Sequence, residues 1–173
     1  MVAWCGIRSY HSGGEVGGLD RALEILDRRG SRGLEYQRRF LRGYAAMARA
    51  KEALDSLMPS GEGYRAASEA EEIFAGLKFR EGVGKAAHFY HLYGRWLKAR
   101  LARAYHFMKS EDQAGSGPLP AVVPALERMT MEQLDSEFAE IGEYAEQVAA
   151  KLEGTPAAGQ ARYLADLSLL QRA

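Results

Sequence analysis

Residues 85–109 read KAAHFYHLYGRWLKARLARAYHFMK, and this stretch decides the fold class. It contains no proline, and at 100° per residue its side chains separate into three faces. Imidazole and basic groups share one narrow stripe: His88, His91, Arg95, Lys98, His106 and Lys109. The other two faces are largely apolar: Tyr90, Leu97, Leu101 and Met108 on one, Phe89, Tyr93, Trp96 and Phe107 on the other. A helix that is apolar over most of its circumference is typical of a central position, so we predict a central helix here.

Helical periodicity continues on both sides of this stretch. Earlier helices are predicted at about residues 19–30, 34–58 and 64–77, and later helices at about 131–153 and from 156 onward. Thr130 and Gln133 form the pattern of a capping box, and Thr155 before Pro156 predicts an N-cap followed by proline at the first helical position. No run alternates in the manner of a strand. We therefore predict an all-α, single-domain bundle of six or seven helices.

Composition excludes several classes of protein. The 173 residues are 47% hydrophobic and 27% charged, which suits one globular domain with its own core. The 23 Lys and Arg balance the 23 Asp and Glu, which argues against a wholly basic nucleic-acid coat or an acidic tail. A single cysteine, Cys5, excludes an intrachain disulfide and a Cys-rich zinc module. No long apolar run and no signal peptide are visible, so we predict a cytoplasmic protein without a membrane partner.

Charge divides the chain into parts. Residues 1–17 hold four glycines and are predicted to be a flexible N-terminal arm, followed by a basic helical core at 18–110. A linker is predicted at 111–120, and acidic C-terminal helices packed on the core at 121–173. No acidic residue lies between Glu81 and Glu111, whereas residues 131–153 carry seven acids and one base. The two halves therefore differ in sign although the whole chain is neutral.

One segment carries a family resemblance. Ala70, Phe74 and Leu77 stand at helical spacing, the turn Lys78-Phe-Arg-Glu-Gly82 follows, and the next helix contains Tyr90-x-x-Tyr93-Gly94. Residues 66–97 thus resemble a tetratricopeptide-type (TPR-like) helical repeat. The resemblance implies a stack of helix pairs that binds other polypeptides. The second helix of this segment, at residues 85–109, runs on for about seven turns, however, and no second copy of the segment occurs at a period of about 34 residues.

His88 and His91 are candidate metal ligands. They stand at i and i+3, and an antiparallel third helix would bring Glu69 or Glu72 near them. The alternative, which we favour, is that both imidazoles belong to an exposed basic stripe with Arg95 and Lys98. The paired Glu-x-x-His motifs of di-iron bundles are missing from the sequence. We therefore predict no metal and no cofactor.

No motif supports catalysis. Cys5 and His11 lie in the glycine-rich arm without a third group to orient them. The glycine pairs at 13–14 and 17–18 are not followed by the Gly-Lys-Ser/Thr of a phosphate-binding loop. We therefore predict that the protein is not an enzyme.

Two basic faces are the candidate binding surface. Arg38, Arg42 and Arg49 share one face of the second helix, and the stripe of the fourth helix supplies the other. Both faces suit the phosphate backbone of RNA or single-stranded DNA. Alternatively, Glu35 and Glu52 pair with the arginines, or the acidic helix predicted at about 131–153 docks on the stripe within the fold or from a second copy.

Two functions follow from these observations. The first is a non-catalytic helical adaptor or assembly subunit of a multi-protein complex, binding a protein partner or a second copy of itself. The second is a small helical nucleic-acid-binding subunit of a ribonucleoprotein complex. Convergence of Arg38, Arg42, Arg95 and Lys98 on one exposed face would favour the second function. Joint charge reversal at Arg95 and Lys98 is predicted to abolish partner binding and to leave the fold intact.

Overall fold

A computed structural model describes residue 7 and residues 16–28, 34–56, 61–112 and 124–172. These residues form helices and turns and contain no strand, which confirms the all-α prediction. Six of the helices have 13 to 29 residues, and the fifth has five. In chain order they are α1 (Val16–Arg28), α2 (Glu35–Asp55), α3 (Gly61–Ala75), α4 (Gly84–Asp112), α5 (Pro124–Arg128), α6 (Met131–Lys151) and α7 (Pro156–Leu170).

Helix α4 is the centre of the bundle, as its three-faced pattern predicts. It packs against α2, α3, α6 and α7. Leu97 and Leu101 join the core built with α1, α2 and α3, whereas Leu92 and Ala99 join the core built with α6 and α7. Helix α4 thus contributes to both parts of the hydrophobic interior, and Tyr93 and Trp96 pack against both of them.

Glycines allow α2, α3 and α4 to approach closely. A Cβ added at Gly43 of α2 would lie 2.8 Å from Ile73 Cγ2 and 3.1 Å from the Phe74 ring. A Cβ at Gly94 of α4 would lie 3.3 Å from the backbone nitrogen of Glu71. Side chains at these two positions would push the helices apart, because protein interiors are close-packed.

The start of α6 has the predicted capping box. Gln133 N–H donates to Thr130 Oγ1 at 3.2 Å, and Thr130 N–H donates to Gln133 Oε1 at 2.8 Å. At the start of α7, Pro156 occupies the first turn as predicted, but the Thr155 side chain does not cap the helix. Its hydroxyl instead donates to the Leu152 carbonyl at 2.7 Å, which closes the preceding turn.

The predicted segment boundaries differ slightly from the observed ones. Val16 and Gly17 already belong to α1, and Glu111 and Asp112 still belong to α4. Apart from Ile7, which is buried in the core, the rest of the predicted arm lies outside the described residues, as do Cys5, His11 and residues 113–120. None of the helices described is long and apolar enough to cross a membrane.

The TPR-like segment covers α3, the following turn and the first half of α4. These two helices pack against each other, and α4 continues to Asp112. The resemblance stays a prediction.

Candidate functional site

The acidic helix α6 covers the predicted basic stripe of α4. Arg95 Nε donates to Glu137 Oε1 at 2.6 Å, and its Nη2 donates to Glu137 Oε2 at 3.0 Å and to Glu140 Oε2 at 2.6 Å. The hydrogen bond to Glu137 raises the pKa of Arg95, whose side chain is only 20% exposed. Lys98 pairs with Glu71 of α3. Of the alternatives that the sequence leaves open, the structure shows the one in which the acidic helix docks on the stripe within the fold.

The arginines of α2 are engaged elsewhere. Arg38 pairs with Asp27 at 3.8 Å and Arg49 pairs with Asp20, so both contact α1 rather than the local carboxylates Glu35 and Glu52. Arg42 is exposed, in a groove that also contains Glu69 and Glu72 of α3. Arg38 and Arg49 contact α1 and Arg42 lies in the groove beside α3, whereas Arg95 contacts α6. The convergence on one exposed face that would favour nucleic-acid binding is not observed.

The two central histidines are half-buried against α6, not exposed. The Tyr144 hydroxyl lies 3.3 Å from His88 Nδ1 and 3.2 Å from His91 Nδ1, so it bridges the two imidazoles. Burial, together with the nearby cations of which Lys78 is the largest contributor, lowers the pKa of His91 to about 4. Burial and Lys151 lower the pKa of His88 in the same way. Both imidazoles are thus neutral hydrogen-bonding groups at pH 7.

The carboxylates expected near these histidines lie on another side of α3. Glu69 and Glu72 line the groove with Arg42, and Glu71 is the α3 carboxylate that faces α4. Within the ranges described, no three His, Cys, Asp or Glu side chains are grouped to hold a metal ion. The last two stripe residues lie further along α4. His106 Nε2–H donates to the Leu126 carbonyl at 3.1 Å, and Lys109 is half-buried near the C-terminal end.

A second feature is an open concavity between α2, α4 and α7, which we call the aromatic groove. Its volume is about 540 Å³. Its lining is mostly aromatic and aliphatic: Tyr44, Met47, Ala48, Lys51, Phe89, Tyr90, Tyr93, Trp96, Gln160, Tyr163, Leu164 and Leu167. The rings of Phe89 and Tyr93 stack with centroids 6.2 Å apart, and those of Tyr93 and Trp96 stack at 6.1 Å. Trp96 is half-buried, and the Arg100 guanidinium lies 5.6 Å from its ring.

Helix α7 extends the groove with an exposed apolar stripe. Tyr163 is 62% exposed and Leu170 is 70% exposed, with half-buried Leu167 between them at i, i+4 and i+7. The sequence pattern assigns all three to an apolar face together with Leu164. In the structure, Leu164 is buried, and the remaining buried positions of α7 are Ala158, Ala161, Ala165 and Ser168. Small residues and Leu164 make the inner face, whereas Tyr163, Leu169 and Leu170 are exposed.

A third feature, which we call the basic pocket, lies where the turn after α3 meets the end of α6. Its volume is about 680 Å³. The lining is Lys78, Phe79, Arg80, Glu81, Gly82, Gly84, Lys85, His88 and Lys151. Of these, only His88 belongs to the predicted basic face. The sequence does contain one signal for this pocket, the alternation of basic and aromatic residues in the turn at 78–80. Lys151 could not be predicted as part of the pocket, because it belongs to a helix of acidic character.

Comparison with known proteins adds no relative. No family model, no curated protein and no solved structure matches this chain.

Proposed function

We propose that this chain is a non-catalytic helical adaptor that binds an amphipathic helix of a partner protein in the aromatic groove. The observation that carries the proposal is the continuity between the groove and the exposed stripe Tyr163, Leu167 and Leu170 on α7. Stacked aromatic side chains form the floor, and the stripe forms one wall. Large aromatic residues dominate the energetics of protein interfaces, and so such a surface is a typical binding site.

The shape of the surface favours a helix as the occupant. The groove runs between helices, and the α7 stripe repeats at the i, i+4, i+7 spacing of helix-to-helix packing. A partner helix with apolar residues at the same spacing would lay them into the groove, as in other helix-in-groove complexes. Its polar face would stay in water, because the lining offers few polar groups to pair with.

The basic stripe is not part of this proposal. Arg95 and Lys98 hold carboxylates of this same chain, so they are not free to recognise an acidic partner without breaking the fold. Binding is therefore expected to be largely insensitive to salt, since apolar burial carries it.

Selection from a displayed library of short amphipathic helical peptides tests the proposal. We expect the chain to select peptides with apolar residues at i, i+3 or i+4, and i+7. Tyr163→Glu and Leu170→Glu, which change exposed positions, should each weaken a selected peptide by about 30-fold, the size of an interface hot spot. The matched control is Arg162→Glu, an exposed neighbour that lies off the stripe.

Two results would refute the proposal. The first is selection of peptides whose binding is the same in Tyr163→Glu as in the unchanged chain. The second is a dimer in sedimentation that Tyr163→Glu dissociates, because a second copy would then occupy the stripe in place of a partner protein.

A further inference from the structure

The basic pocket combines four cations with a single carboxylate. Lys78, Arg80, Lys85 and Lys151 line it together with Glu81, and within the described ranges no Asp or Glu comes within ion-pairing distance of any of the four cations. Several basic side chains that face a neighbouring helix are ion-paired: Arg38, Arg49, Arg95, Lys98 and Arg103. The four cations of the pocket differ from these in having no ion pair within the described ranges.

Such a group of cations favours an anion. Like charges held together repel each other, and burial removes part of the water that would screen them. Both causes act on Lys78, since burial and then Lys151 lower its pKa. Lys78 lies 5.6 Å from the Tyr144 ring, which holds its ammonium group at the inner side of the pocket. Four cations against one carboxylate give the concavity an excess of positive charge, which concentrates ligands of the opposite sign.

An exposed aromatic ring lies beside these cations. Phe79 is 89% exposed, and its ring meets only the edge of His88, with centroids 6.2 Å apart. On the same turn, the Arg80 guanidinium lies 5.1 Å from the ring of Tyr36, which is itself 45% exposed. A large apolar side chain exposed to this degree, between two basic residues of a turn, is suited to stacking on a planar ligand.

We propose that the basic pocket binds single-stranded nucleic acid, with phosphates between Lys78, Lys85 and Lys151 and a base stacked on Phe79. Cations that follow the backbone, together with an aromatic platform for a base, are the two parts of a single-strand binding site. The proposal does not depend on the aromatic groove. It also uses different residues from the basic face that the sequence predicts, of which only His88 borders this pocket.

Fluorescence anisotropy with labelled oligouridylate and oligothymidylate, measured over a series of salt concentrations, tests the site. We expect binding that weakens with salt, and the two probes distinguish RNA from DNA. Lys85→Glu combined with Lys151→Glu should lower affinity at least 10-fold and reduce the salt slope by about 0.7 for each phosphate that the variant no longer neutralises. Phe79→Ala should lower affinity by about 5- to 150-fold and leave the salt slope unchanged, because it removes only stacking.

These three positions are exposed, so the variants should keep the fold, which circular dichroism will check. The matched control is Lys109→Glu, at the opposite end of α4 and about 36 Å from Lys85 at 1.5 Å per residue. Absence of salt-dependent binding would overturn the proposal, and so would a loss in Lys109→Glu equal to that in the double variant. If Phe79→Ala leaves the affinity unchanged, the assignment to nucleic acid is wrong. The site would then recognise phosphate groups alone, and inorganic polyphosphate would bind as tightly as an oligonucleotide.

Discussion

Charge reversal at Arg95 tests the central finding, that the basic stripe of α4 is part of the fold. In Arg95→Glu, a carboxylate would replace the guanidinium that now makes hydrogen bonds of 2.6, 3.0 and 2.6 Å to Glu137 and Glu140. Three carboxylates would then meet where α4 packs on α6. From the sequence, reversal here together with Lys98→Glu is predicted to leave the fold intact. The geometry revises that expectation.

The size of the effect follows from burial. The side chains of Arg95 and Glu137 are 20% and 23% exposed, whereas that of Glu140 is 62% exposed. Removing one partner of a fully buried pair costs about 3–5 kcal/mol, and an exposed pair contributes about 0–1 kcal/mol. The pair at Arg95 lies between these limits, so Arg95→Glu should lower the free energy of unfolding by about 2–4 kcal/mol. This is a large part of the stability of a typical domain, about 5–15 kcal/mol.

Urea denaturation followed by circular dichroism measures this loss. Arg162→Glu makes the same change of charge at an exposed site of α7 and should stay within about 0.5 kcal/mol of the unchanged chain. Combining Arg95→Glu with Glu137→Arg restores an opposite-charge pair and should recover part of the loss. A change below about 0.5 kcal/mol in Arg95→Glu would refute the reasoning, because the pair would then be no stronger than a solvated surface pair.

Three further predictions concern pH, capping and packing. The pKa of His91 is about 4 in the fold against an ordinary value of 6.5, so the unfolded chain binds its proton first as pH falls. His91 should therefore lower the free energy of unfolding by about 1–2 kcal/mol from pH 7 to 5, and in urea melts His91→Gln should remove this contribution and leave that of His88, whose pKa is also lowered. Thr130→Ala should cost about 1 kcal/mol in the same assay, whereas Thr155→Ala should cost less because its hydroxyl caps no N–H group. Gly43→Leu should lower the thermal midpoint by several degrees through overpacking, and an unchanged midpoint would contradict the close approach of α2 and α3.

The helices were predictable because their signals are local. The period of α4 and the capping box at Thr130 each depend on residues within a few positions of one another. The central position of α4 was also predictable, since three distinct faces on one helix require neighbours on several sides. Helix ends were less accurate, and α4 runs three residues beyond the predicted end at Lys109.

The surfaces were harder to predict because they depend on which elements meet. A helical wheel shows that Arg95 and His91 share a stripe, but it contains no information that Glu137 and Tyr144, more than 40 residues later, cover it. In α4, a face predicted to be exposed is covered, and in α7 the reverse occurs. The pattern of α7 assigns Tyr163 to the same apolar face as Leu164, but the structure leaves Tyr163 exposed. Alanines allow helices to approach more closely than leucines do, and the alanines of α7 accordingly form the buried face of that helix.

The neutral composition has a structural meaning. The basic and acidic halves of the chain meet inside the fold at two points, through Arg95 with Glu137 and through Arg103 with Asp135. Charges used in this way stabilise the packing of α6 on α4 and are not free for a ligand. The side chains that the fold leaves without such partners include the lysines of the basic pocket and the exposed aromatic and leucine side chains of α7. In a neutral helical protein, ligand contacts are therefore to be sought among residues that the fold leaves uncompensated, not among those that dominate the sequence pattern.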